Sequence, residues 1–161
     1  MPRIILASKS PRRRELLELI HIPFEIIVSD IDEEIDHRND LVKEIEKLSY
    51  QKASAVYKDH QDALVIGSDT IVKIGNDVLG KPKTMDEARA MLKELSGNTH
   101  EVVTGVTILC NGERETFSSV AKVSFYPLSD EEIEAYIATN EPMDKAGAYA
   151  IQGDAAKFIR S

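Results

Sequence analysis

The chain has 161 residues, of which 42% are hydrophobic and 30% charged, enough for one domain with a buried core and too few for two ordinary ones. Its net charge of −8, from 28 acidic against 20 basic residues, argues against non-specific binding to nucleic acid, which needs a basic face. No apolar run reaches the length of a membrane span, and the apolar stretch in MPRIILASKS is too short for a signal peptide, so a cytoplasmic protein is expected. The single Cys110 forms no internal disulfide, and no Cys/His cluster has zinc spacing. His21, His37, His60 and His100 are scattered and read as surface or satisfied polar positions.

In chain order, residues 3–7 read as a short buried strand, 11–20 as a helix and 24–28 as a second strand. An acidic loop leads to a long helix over about 41–58. Residues 63–67 form a continuously apolar strand, the type found in sheets covered on both faces. Residues 71–74 and 78–79 flank Gly75-Asn76-Asp77 and predict a small hairpin. Thr84 caps a helix running to Leu95, which Ser96-Gly97-Asn98 ends. Two longer strands, 100–109 and 115–126, meet at Asn111-Gly112, a strong hairpin signal. Ser129-Asp130-Glu131-Glu132 is a capping box opening a helix to about Thr139. The tail, 146–159, is rich in small residues and then strand-like. The expectation is a single α/β domain over 1–161 with a mixed sheet flanked by helices.

Several stretches carry candidate chemistry. Ser10 is a natural N-cap and Pro11 suits the first helical turn. Arg12, Arg13 and Arg14 then crowd the positive end of the helix dipole, where cations are disfavoured. Either this is a solvated basic turn pairing with the Glu15 and Glu18 region, or backbone N–H groups and guanidinium forks await a phosphate. Lys52 falls in the middle of the apolar stripe Leu41, Ile45, Leu48, Ala55 and Val56. Such a lysine either snorkels to an edge or lines a cleft and meets an anion. Asp69 stands at the end of the most apolar strand, where a carboxylate can hold a divalent metal or take a proton from water, or merely cap a turn. Lys81 is fixed between Gly80 and Pro82, with spacing that excludes a Walker A loop. In the stretch 144–153 the small residues permit close backbone approach, and Gln152 offers a donor and an acceptor; the plain alternative is a glycine-rich corner.

Taken together and in order, LASKSPRR, QKA, SDT, GKP, SGNTH and EPMDKAGAYAIQG resemble the motifs of the Maf family, from Ile4 to Ile159. That family is named for septum inhibition and regarded as house-cleaning nucleoside triphosphate pyrophosphatases. The resemblance implies a fold of the inosine-triphosphate-pyrophosphatase (Maf/Ham1) type. It further implies cleavage between the α and β phosphates, giving a monophosphate and pyrophosphate, with a divalent metal, Mg or Mn.

By position, Asp69 resembles the proton acceptor that activates water, and Arg12, Thr70 and Gln152 fall where the family sets substrate preference. Ser8, Arg13, Lys52 and Lys81 match phosphate-binding positions. Glu33 matches an acid near the metal, which Asp69 would share. The AGAYxIQG form resembles the branch acting on dTTP and UTP, with modified pyrimidine triphosphates as further candidates. The implied partner is a nucleoside triphosphate, with neither nucleic acid nor membrane, and a homodimer is left open. Ser68 and Ala150 stand where the family usually has Ala and Gly. Family members continue past the FIRS-like end into an IxGxYxxVxGLP segment, so this chain is expected to lack that C-terminal piece. The alternative reading is a non-catalytic nucleotide-binding regulator of cell division and septum formation.

Overall fold

The structure, a computed structural model, describes residues 3–29, 31, 40–149 and 153–161. Its contacts group into two compact units, Met1–Asp69 with Thr104–Ser119, and Thr70–Val103 with Val120–Ser161. The strands β1 (Arg3–Ala7), β2 (Glu25–Ile26), β3 (Ala63–Ile74), β4 (Asp77–Leu79), β5 (Thr99–Cys110) and β6 (Glu113–Ser124) are ordered β2-β1-β3-β5-β6, with β4 paired to β3.

The first unit begins with β1 (Arg3–Ala7), α1 (Pro11–Glu18), β2 (Glu25–Ile26) and α2 (Leu41–Tyr57). β3 (Ala63–Ile74) starts in this unit and pairs parallel to β1, with Ile5 opposite Val65 and Ala7 opposite Gly67. On its other edge β1 pairs parallel with β2, Ile5 opposite Glu25. β2 is shorter than the expected 24–28 because β1 ends at Ala7, and the Ile27 N–H is the last to donate to it, at the Leu6 carbonyl. Ile5, Ala7, Ala53, Val56, Ala63, Val65 and Leu109 make the core here. The far ends of β5 (Thr99–Cys110) and β6 (Glu113–Ser124) also belong to this unit. They are joined by Asn111 (φ 53°) and Gly112 (φ 76°), the positive-φ pair that a two-residue hairpin requires.

β3 corrects one expectation. Residues 63–67 and 71–74 are not separate strands but one, so Asp69 lies within β3 rather than at its end. Pairing with β1 stops at Gly67, and antiparallel pairing with β4 (Asp77–Leu79) starts at Val72. Ser68, Asp69 and Thr70 occupy the interval between the two ladders.

In the second unit, α3 (Met85–Leu95) and α4 (Asp130–Ile137) bury Ala88, Leu92, Leu95, Ile133, Tyr136 and Ile137. Thr84 caps α3 by accepting from the Glu87 N–H, and Ser129 and Glu132 form the reciprocal capping box of α4. The tail is a second correction. It forms 3₁₀ turns at Glu141–Asp144, Ala146–Ala148 and Gly153–Phe158, and among the described residues its strand character is confined to one bridge, Phe125 to Ile159. Ala155 and Phe158 both face the core. Their spacing of three suits a 3₁₀ turn, in which i and i+3 eclipse, and not the period of two of a strand.

Candidate active site

The order β2-β1-β3 means that the chain leaves β1 toward one neighbour and returns on its other side. In open α/β sheets this switch point, at the carboxyl ends of the strands, is where ligands bind. Here it is formed by the ends of β1 and of the β1-paired part of β3, which carry Ser8 and Ser68-Asp69 respectively.

Ser8 is buried and organises the turn into α1. Its hydroxyl oxygen accepts from the Ser10 N–H at 3.2 Å and from an Arg13 guanidinium nitrogen at 3.1 Å. The same Arg13 nitrogen donates to the Ser68 carbonyl at 3.2 Å. Ser10 caps α1 by accepting from the Arg13 N–H, and no acid stands in the first turn. The arginines therefore divide. Arg14 reaches Glu18 at 3.2 Å in an exposed pair, which is the solvated-turn reading. Arg13 turns inward and ties the end of β1 to β3.

Lys52 lies on the inward side of α2, near the buried Leu48, Ser49 and Val56. It does not snorkel out. Its Nζ meets Asp69 Oδ2 at 3.3 Å. The approach of α2 to β3 that permits this depends on Gly67, where an added Cβ would lie 2.4 Å from the Ser49 carbonyl oxygen and 2.7 Å from the Ala53 nitrogen. Gly105 makes the same allowance for Ile45. The Ser68 hydroxyl donates to the Gly105 carbonyl at 2.9 Å, so its proton is satisfied within the fold.

Ser8, Arg13, Lys52 and Asp69 are thus gathered around Ser68 in the first unit. The sequence marks Gly67 and Ser68 only as neighbours of Asp69 and gives neither a role of its own. The available signal was a glycine ending an apolar strand run, which often marks close backbone approach.

Thr70, the residue after Asp69 on β3, belongs to the second unit, and so does Lys81, which is exposed between Gly80 and the buried Pro82. Glu33, Gln152 and the Arg12 side chain lie outside the described residues.

His100 differs from its expected surface or satisfied role. It is 2% exposed, its Nε2 is 2.5 Å from the Tyr149 hydroxyl, and its Nδ1 has no hydrogen-bond partner among the described residues. Burial pushes its pKa down from 6.5 to about 4 and pushes that of Tyr149 up. An unsatisfied buried polar group costs about 1–3 kcal/mol. The family-like SGNTH motif was the one sequence signal for it.

Among the described residues no group of three or more His, Cys, Asp or Glu side chains is placed to cage a metal. Asp69, a carboxylate close to the switch point and paired with Lys52, is the kind of oxygen ligand that Mg²⁺ takes, one or two carboxylates with water and phosphates completing its shell.

A family model described as Maf-like protein matches residues 3–161. A relative from Geobacillus sp. (strain WCH70), named dTTP/UTP pyrophosphatase, is 51% identical over 160 residues, covering 99% of this chain and 86% of its own. One from Bacillus cytotoxicus with the same name is 49% identical, covering 99% and 84%. Among solved structures, the Staphylococcus aureus Ham1 protein aligns with a TM-score of 0.57 at 14% identity, covering 97% of this chain and 90% of its own. This is a likeness of fold. No helix among the described residues is long and apolar enough to cross a membrane.

Proposed function

The chain belongs to the Maf-like protein family, and from that premise we propose that it hydrolyses dTTP and UTP to the monophosphate and pyrophosphate. The observation that carries this reading is the Lys52–Asp69 pair at the switch point, beside the turn that Arg13 anchors. A carboxylate and a cation side by side at a switch point support a site for a phosphate-bearing ligand. Identity of 49–51% to relatives named for that activity supports the choice of substrate.

In this reading the triphosphate lies against the amino end of α1, whose N–H groups and dipole favour anions. Lys52 and Lys81 balance its charge, and Arg12, Thr70 and Gln152 select the base. Asp69 orients a water molecule and takes its proton as the oxygen adds to phosphorus. The bond between the α and β phosphates breaks, and pyrophosphate leaves. Arg13 and Ser8 shape the turn, with the Arg13 guanidinium held by Ser8 and Ser68. A divalent cation, Mg or Mn, held by Asp69 and Glu33 would supply charge neutralisation on the phosphate oxygens. The partner is a free nucleotide, which fits a cytoplasmic setting and requires no nucleic acid or membrane.

The test is pyrophosphate release from a panel of nucleoside triphosphates, with Mg²⁺ or Mn²⁺ and with chelator. Release from dTTP and UTP that chelator abolishes is expected. No release from any triphosphate overturns the reading, and calorimetric binding without release points instead to a nucleotide-binding regulator.

A further inference from the structure

In the second unit, the phosphate chemistry leaves the pair His100 and Tyr149 unused. The His100 ring meets Phe125 and Tyr149 edge-on at centroid distances of 5.2 and 5.4 Å, and Phe125 meets Tyr149 at 4.8 Å. Packing therefore fixes the rings, and the 2.5 Å hydrogen bond fixes the reach of the Tyr149 hydroxyl.

The backbone leading to Tyr149 is strained. Gly147 has φ 71° and Ala148 has φ 67°, and alanine rarely adopts that left-handed region. A Cβ on Gly147 would lie 2.7 Å from Val72 Cγ2, so the turn presses directly on β3. From this seat the Gly147 N–H donates to the Gly80 carbonyl at 3.1 Å. Gly80 has open space where a side chain would be, and as a glycine it has no side chain to limit its backbone freedom. The bond from Gly147 holds the Gly80 carbonyl directly before Lys81.

We propose that His100 is a positioning residue for Lys81: by holding the Tyr149 hydroxyl it keeps the strained Gly147–Ala148 turn seated, and the turn fixes the Gly80 carbonyl beside the lysine. The proposal rests on the pyrophosphatase reading, in which Lys81 meets a phosphate. The polarity of the pair favours positioning over simple packing. One proton joins His100 Nε2 and the Tyr149 hydroxyl, and Nδ1 is left without a partner among the described residues. Two phenylalanines would fill the same region without that deficit. What they would lack is a directional bond.

Three variants test this: Tyr149→Phe, the double variant His100→Phe/Tyr149→Phe, and His100→Gln, whose amide reaches the place of Nε2. Amide hydrogen exchange needs no catalysis. Tyr149→Phe and the double variant are expected to speed exchange of the Gly147 amide about tenfold or more while α3 amides keep their protection. His100→Gln is expected to restore part of that protection. With dTTP, Tyr149→Phe is expected to raise KM about tenfold with a smaller change in kcat, and to add nothing further in a Lys81→Ala background. Unchanged Gly147 exchange in Tyr149→Phe, or a KM effect that adds fully to that of Lys81→Ala, overturns the proposal. If the unaltered protein releases no pyrophosphate, the functional reading fails, while the exchange experiment still decides the coupling.

Discussion

Lys52 on α2 and Asp69 on β3 form an ion pair at 3.3 Å with side chains only 14% and 12% exposed. Breaking a buried pair costs about 3–5 kcal/mol because the remaining charge is uncompensated, and a pair with this residual exposure loses less, about 1–3 kcal/mol. Asp69→Asn and Lys52→Met are each expected to lower stability by that amount in denaturant titrations. The double variant recovers most of the loss because neither charge remains. Turnover is expected to fall at least about 100-fold in Asp69→Asn and to stay low in the double variant, since the base is gone. A double variant with full pyrophosphate release would remove Asp69 from the chemistry.

Gly67→Ala tests the approach of α2 to β3. The new methyl would press on backbone atoms of Ser49 and Ala53, which cannot swing aside as a side chain could. A loss of about 2–3 kcal/mol is expected, with reduced turnover because Lys52 is carried away from Asp69. Gly80→Ala, which meets open space at an ordinary backbone angle, is the stability control and is expected to change melting by little. Equal melting shifts in the two variants would contradict the packing described.

The adjacent arginines are expected to behave differently. Arg14→Ala removes an exposed pair with Glu18, worth about 0.3–0.5 kcal/mol, and leaves KM unchanged. Arg13→Ala unties Ser8 from Ser68 and is expected to cost about 1–3 kcal/mol and to raise KM about tenfold. Arg13→Lys is not expected to rescue it, because a single ammonium does not reproduce the guanidinium fork. Identical kinetics in Arg13→Ala and Arg14→Ala would count against the anchoring role.

The pH dependence of stability follows from the buried pair in the second unit. His100 has a folded pKa of about 4, below its ordinary 6.5, so above 6.5 it is neutral whether folded or not. As pH falls from 6.5 toward 4 the unfolded chain takes up a proton that the folded one refuses, and stability drops. Burial raises Tyr149 above its ordinary 10, so its contribution is complete below pH 10 and is lost as pH rises beyond it. Melting temperatures measured across pH should fall at both ends. His100→Phe is expected to flatten the fall between 6.5 and 4, and an unaltered slope there would assign it to other groups.

Local signals sufficed wherever neighbouring residues decide the outcome. Caps at Ser10, Thr84 and Ser129, the Asn111-Gly112 turn and the long stripe of α2 were all legible, because each depends on hydrogen bonds or periodicity within a few positions. The ordered motifs likewise pointed to the family and to Ser8, Arg13, Lys52 and Asp69. Tertiary structure decided what lies between distant segments. Whether Lys52 escapes to solvent or meets Asp69 depends on how closely α2 packs on Gly67. That Arg13 turns inward and Arg14 outward depends on a carbonyl contributed by Ser68, 55 positions away. Residues 63–74 form one strand because separate partners, β1 and β4, take successive parts of it. The tail coils instead of extending because Ala155 and Phe158 must both enter the same core. A sequence records which residues can make such contacts; the free energy that selects among them comes from burial and pairing across the folded chain.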